Sequence, residues 1–172
     1  CSSFEKASEL AWIMPGHIYL FELEFYYALA LSACYQSNQH SEVTKPLLLC
    51  CIEKVRHWAS LSPETFSNKA LILHAELKKI EGNFFAAMEL FEQAISSSKD
   101  GEFLQYKALA HELAGRLAFE FNQITSAKAH LNYALHYYNC WGSKGKVKQM
   151  RESYVQLQLE GAGQSYIQAT NS

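Results

Sequence analysis

The sequence predicts an all-α protein built as a right-handed stack of antiparallel helix hairpins, an α-solenoid of about eight helices, and three observations predict it. First, apolar residues recur at three- and four-residue steps, and no sustained period-two run flanked by turn residues occurs. Second, the stretch Lys69 to Trp141 repeats itself in register: Gly82, Ala87, Phe91 and Ala94 return forty residues later as Asn122, Ala127, Leu131 and Ala134, and Ala70, Leu73, Ala75 and Leu77 return as Ala110, Leu113, Gly115 and Leu117. Third, the composition is 49% hydrophobic with three prolines and eight glycines, that of a folded, helix-rich chain.

The elements follow in order. Phe4, Ala7, Leu10, Ala11 and Met14 form one helical face over residues 3–14, ended by Pro15-Gly16. A helix from about His17 to Ser37 follows. Its apolar window, Ile18 to Cys34, is broken by Glu22 and Glu24, about 200° apart around a helix, which argues for a helix buried on most sides and against a membrane span. The next helix is capped by Ser41 or Thr44, tolerates Pro46 in its first turn and continues through Leu48, Cys51, Ile52 and Val55 to Trp58. These two make a first hairpin, about 17–61.

Ser62-Pro63-Glu64 is a helix start: a serine oxygen to accept a first-turn N–H, a proline that fits the first position, and an acid at the positive end of the dipole. The second hairpin, about 63–97, turns at Gly82-Asn83, and the third, about 102–140, turns at Asn122-Gln123. A more polar helix from about Lys144 caps the stack, closing a single domain at residue 160. Residues 161–172 read as a linker or disordered tail. The opening Cys1-Ser2-Ser3-Phe4, with neither an initiator methionine nor a leader pattern, reads as a piece of a longer polypeptide.

A small residue, a turn, an aromatic, then Ala-x3-Phe-x2-Ala resembles the second half of a tetratricopeptide-type (TPR) repeat. The first half departs from that pattern. Leu71 and His111 stand where tryptophan is usual, Lys78 and Ala118 where tyrosine is, and the period is forty. Ala75 and Ala87, and Gly115 and Ala127, are small where paired helices cross, and Phe91 and Leu131 fill the space beyond.

A more specific resemblance starts at Trp58-Ala59 and continues through Pro63, Phe66, Lys69, Ala75-Glu76, Ala87-Met88-Glu89-Leu90-Phe91, Ala94-Ile95, Ala108-Leu109-Ala110, Glu112-Leu113, Ala134, Tyr137-Tyr138, Trp141-Gly142 and Lys146-Val147. In that order these residues look like the helical region of large multidomain signalling proteins. Such proteins join a serine/threonine kinase-like domain, a STAND or AAA-type ATPase, this region, a GAF domain and a histidine kinase. The resemblance implies a non-catalytic interaction or sensor module of a signal-transduction kinase, coupling an effector or partner domain to the ATPase and kinase parts.

The chemistry looked for is largely missing from the pattern. Gly142-Ser143-Lys144-Gly145-Lys146 follows a helix, lacks the first glycine of a phosphate loop and has Val147 where a magnesium-binding hydroxyl belongs. His111-Glu112 begins like a zinc-protease motif, but Gly115 replaces the second histidine, and His130 and His136 fall on different helix faces. No nucleophile and base are spaced to work together, so the expectation is no enzyme, no cofactor and no metal. A net charge of -2 favours neither nucleic acid nor membrane as a partner. Five cysteines without a framework spacing read as reduced core thiols, in line with a cytoplasmic location. Tyr133, Tyr137, Tyr138 and Trp141 have the spacing of a face packed on the next helix.

What remains is a surface. In stacked hairpins the first helix of each lines the concave side, which here presents Lys69, Ile72, Glu76 and Lys79, and Glu112, Arg116, Phe119 and Glu120. Mixed charge beside apolar groups suits a protein or peptide partner or a neighbouring domain, and it equally suits a solvated helical face. A different reading makes the apolar helix at 18–34 a dimerisation or scaffold element, giving a homodimer.

Overall fold

A computed structural model describes residues 17–36, 41–97 and 103–159. Among them there are seven α-helices, one 3-10 turn and no strands: α1 (His17–Gln36), α2 (Ser41–Leu61), α3 (Pro63–Ile80), α4 (Phe84–Ser97), α5 (Leu104–Glu120), α6 (Ile124–Cys140), α7 (Lys144–Ser153) and the 3-10 turn Val155–Leu157. The all-α expectation holds. The helix expected over 3–14 and the tail 161–172 lie outside the described residues.

The chain divides into two compact units, the first reaching Asn83 and the second starting at Phe84. In the first, α1 packs on α2 and α3, and α2 on α3; in the second, α4 packs on α5, α5 on α6 and α6 on α7. The boundary falls at the turn expected to join the hairpin 63–97, so α3 closes one unit and α4 opens the next. The later copy of the repeat, α5 and α6, lies whole within the second unit.

Three helix ends share one turn chemistry. Gly82, Asn122 and Gly142 all have positive φ, at 76°, 58° and 85°. The N–H of the following residue reaches back five positions in each case: Asn83 to the carbonyl of Lys78, Gln123 to Ala118 and Ser143 to Tyr138. This closure satisfies carbonyls that a helix end leaves open, and it requires a residue that tolerates the left-handed region, hence glycine or asparagine.

Two start signals act differently from their expected form. The Ser62 hydroxyl does not cap α3; it donates to Thr65 Oγ1 at 3.1 Å, while the Ser62 carbonyl accepts from the N–H groups of Thr65 and Phe66. Because α2 begins at Ser41, Pro46 falls in its second turn and cannot supply the N–H that would bond residue 42. At the other end, α7 stops at Ser153 and the chain tightens into the 3-10 turn, short of the helix expected to Leu159.

In the first unit the buried apolar side chains are Phe21, Phe25, Ala28 and Leu31 of α1, Leu48, Cys51, Ile52 and Val55 of α2, and Ile72, Leu73 and Ala75 of α3. In the second unit Ala108, Leu131, Ala134, Leu135, Tyr138, Met150 and Leu157 form one cluster, with Phe119, Tyr137, Val147 and Tyr154 packed against it. Ala87, Phe91, Ala94, Ala127, Leu131 and Ala134, the expected packing residues of the repeat, are all buried. Gly115 shows why size matters there. A Cβ built on it would stand 2.7 Å from Leu131 Cγ and 3.2 Å from His130 Cβ, so α5 and α6 meet at a distance only glycine allows.

The thiol expectation is corrected in part. Cys51 is buried, and burial together with the hydrogen-bonded Glu24 carboxylate beside it pushes its pKa up to about 12. Cys50 and Cys140, by contrast, are exposed, because they point away from the faces that pack.

Candidate partner-binding surface

The eight residues expected to line a concave face do not share one environment. In the first unit Ile72 is fully buried and Lys69 and Glu76 are 2% and 5% exposed, which leaves Lys79 half-buried. In the second unit Glu112 is buried, Phe119 is half-buried, and Arg116 and Glu120 are exposed. The expectation that all eight are displayed is therefore corrected for Lys69, Ile72, Glu76 and Glu112. Helical spacing places a residue on a face, but charge alone does not say whether that face is covered.

The buried charges of the first unit are held largely by residues of α1. The Lys69 amine lies 5.2 Å from the centroid of the Phe21 ring and 5.5 Å from that of Phe66, donates to the Thr65 carbonyl at 3.2 Å and stands 3.8 Å from a Glu22 carboxylate oxygen. Burial lowers its pKa, and Glu22 opposes that shift. The Glu76 carboxylate accepts a hydrogen bond from the Ser32 hydroxyl at 2.6 Å, tying α3 to α1.

In the second unit the chain's own C-terminal elements occupy part of the face expected to be a groove. Glu112 of α5 accepts from the Tyr138 hydroxyl of α6 at 2.8 Å and from the Lys146 amine of α7 at 2.9 Å. The Lys146 amine also lies 5.8 Å from the Tyr138 ring centroid. Two turns further along α5, Phe119 meets Tyr154 edge to face, with centroids 6.2 Å apart. Burial raises the Tyr154 pKa, Arg116 opposes that shift, and Glu112 and Glu120 add to it. What stays open here is a compact patch: exposed Arg116 and Glu120 flanking the partly buried Phe119 and Tyr154. Tyr154 was not expected in it, and its only sequence signal was an aromatic at the end of the capping helix.

The same unit contains a polar group that spacing did not reveal. His111 Nδ1 and His130 Nδ1 are 3.2 Å apart, and His130 Nε2 is 3.2 Å from a Glu92 carboxylate oxygen, so α5, α6 and α4 are joined in one line. His111 stacks on Tyr133 and Tyr137, with centroids at 5.2 and 5.6 Å, and the Lys107 amine lies 5.1 Å from the Tyr137 ring centroid. Burial, then His130 and Lys107, lower the His111 pKa from 6.5 to about 3. Burial lowers that of His130 as well, with Glu92 opposing. Nineteen residues on two helices separate the pair, and in the other copy of the repeat Leu71 and Leu90 stand at the corresponding positions.

Of the aromatic face expected to pack on the next helix, Tyr138 is buried and Tyr137 half-buried, while Tyr133 and Trp141 are 44% and 52% exposed. Among the described residues no group of three or more His, Cys, Asp or Glu side chains is placed to hold a metal ion, and no helix is long and apolar enough to cross a membrane.

Comparison with known proteins relates this chain to a signalling protein. Over 107 residues, 62% of the chain, it is 36% identical to the hybrid signal transduction histidine kinase G of Dictyostelium discoideum. The matched part is 3% of that protein's length. No family model matches the chain, and no solved structure does. The similarity makes this a helical segment related to part of a hybrid histidine kinase.

Proposed function

We propose that this chain is a non-catalytic, TPR-like protein-interaction or sensor module of a multidomain signal-transduction kinase, coupling an effector or partner domain to ATPase and kinase domains elsewhere in the polypeptide. The observation that carries the reading is the 36% identity to a segment forming only a small part of a hybrid histidine kinase. The register of forty and the shared turn at Gly82 and Asn122 support repeated hairpins as its framework. The surface offered to a partner is the patch of Arg116, Phe119, Glu120 and Tyr154. There an exposed guanidinium and carboxylate flank aromatic edges, a combination suited to a peptide or a domain surface.

The test uses affinity capture of the remainder of the parent polypeptide by this chain. Arg116→Glu reverses the one exposed cation of the patch and is expected to weaken capture about tenfold, a typical cost for a desolvated interface charge. Capture unchanged by Arg116→Glu removes the patch from the reading, and micromolar ATP binding by calorimetry contradicts a non-catalytic module.

The alternative is a dimerisation element built on the apolar helix at 18–34. α1 keeps Tyr26, Ala30 and Ala33 exposed along one face, while Phe21, Phe25, Ala28 and Leu31 are buried. Sedimentation at high micromolar concentration separates the two readings, since a monomer there rejects the dimer.

A further inference from the structure

The His111–His130 pair is a partly buried proton-sharing contact with a definite arrangement of hydrogens. Two imidazoles whose Nδ1 atoms face each other at 3.2 Å form a hydrogen bond only if one carries hydrogen there and the other does not. Glu92 decides which. Its carboxylate accepts only, so the His130 Nε2 at 3.2 Å carries the hydrogen, and the neutral ring keeps a lone pair on Nδ1. His111 is then the donor, protonated on Nδ1.

This contact can take one more proton but not two. With one added, His130 becomes an imidazolium that donates from Nε2 to Glu92 and from Nδ1 to His111, whose own hydrogen moves to Nε2. The carboxylate of α4 balances that charge. A second proton leaves N–H facing N–H at hydrogen-bonding distance. It also sets two cations together beside Lys107 of α5, in a site where His111, stacked on Tyr133 and Tyr137 of α6, is 7% exposed. We propose that the His111–His130 pair is an acid-sensitive latch, holding α5 to α6 and α4 to both while it carries no more than one extra proton, and releasing α5 from α6 when it takes a second.

Several observations support it. Burial lowers both ring pKa values, as a latch that resists charging requires. The latch lies beside a close approach of the two helices, where His130 Cβ is among the atoms that exclude a side chain at residue 115, so parting the rings acts directly on that crossing. Only one copy of the repeat has it, because the other carries Leu71 and Leu90 at these positions and cannot titrate.

Nitrogen-15 spectra of the histidine rings in the full chain test the arrangement at pH 7.5. One ring protonated on Nδ1 and one on Nε2 is the expected result, and two rings both protonated on Nε2 overturn the proposal. Followed down to pH 3, the pair should take its first proton with the native spectrum retained and its second together with loss of the stacked-tyrosine signal in near-ultraviolet circular dichroism. Uptake of the second proton with that signal intact also overturns it. In His111→Leu/His130→Leu, which copies the other repeat, the acid midpoint is expected about half a pH unit or more below that of the wild type. A midpoint left in place overturns the latch, and if this variant does not fold, the wild-type spectra decide alone.

Discussion

α3 and α5 are two versions of one helix, one in each unit, and they differ in which charged or titratable groups they bury. Leu73 matches Leu113, Leu77 matches Leu117, and Ala75 matches Gly115, so the apolar seam is common to both. At the neighbouring positions α3 carries Lys69, Leu71 and Ile72 where α5 carries Leu109, His111 and Glu112. Each helix thus buries charged or titratable groups, but at different steps of the same register. The lesson is that the repeat preserves the size of the residues at a crossing and leaves polarity free to vary, with Lys69, Glu76, His111 and Glu112 each meeting a partner on another helix.

The sharpest way to break the correspondence is at its smallest residues. Gly115→Val places branched carbons where a single Cβ already stands 2.7 Å from Leu131 Cγ. Overpacking of this kind costs about 1–3 kcal/mol, and a β-branched residue adds to it in a helix. We expect a loss of about 3 kcal/mol, read as a fall in urea midpoint with an unchanged slope. Ala75→Gly makes the opposite exchange in α3 and should lose only about 1 kcal/mol, the helix cost of glycine. Equal losses for the two would show that the close approach at Gly115 is not what limits residue size there.

This contrast also shows where the sequence was informative. Size and turn residues have strong local signatures: Pro63 at a helix start, Gly82, Asn122 and Gly142 at positive φ, alanines at every fourth or third position. The seven described helices were accordingly legible, with errors of a few residues at ends such as that of α7. The candidate site was not. Lys69, Glu76 and Glu112 read as surface charges because spacing specifies a direction and not the neighbour lying in that direction. Their partners, Phe21, Ser32 and Tyr138, come from other helices 26 to 48 residues away, as 138 − 112 and 69 − 21 give. The histidine pair escaped for the same reason, its two members being compared with nearby residues and not with each other.

A smaller effect is expected from making α5 more like α3 at residue 112. Glu112→Ile, which installs the residue found at 72, removes the acceptor for both the Tyr138 hydroxyl and the Lys146 amine. Lys146 can turn to water, its side chain being 31% exposed, but the Tyr138 hydroxyl loses a buried partner. The expected loss is about 2 kcal/mol. Tyr138→Phe in the same chain should restore about 1 kcal/mol of it, and a double-mutant cycle measures that coupling. Strict additivity would show that the 2.8 Å contact contributes nothing.

The smallest change runs the other way, making α3 more like α5 at residue 69. Lys69→Leu installs the residue found at 109 and removes a 2% exposed amine from beside two phenylalanine rings that contact each other. Replacing a buried charge by a packed hydrocarbon is neutral to stabilising, and a gain of about 1 kcal/mol at pH 7 is expected. Its pH dependence identifies the cause. Burial lowers the folded pKa of Lys69 below 10.5, so between that folded value and 10.5 the unfolded chain binds more protons than the folded one, and the wild type gains stability as pH rises through that window. At pH 7 the amine is charged in both states and the cost of burying it is complete. The advantage of Lys69→Leu should therefore be largest near neutrality and shrink toward pH 10.5, where the wild-type amine is buried neutral. Unfolding curves of the two proteins across pH 7 to 10.5 measure the gap, and because every other lysine and tyrosine titrates in both, the difference isolates this amine. A gap that stays constant would assign the gain to packing alone, and a loss at pH 7 would show that the two rings and Glu22 more than offset the desolvation of the charge.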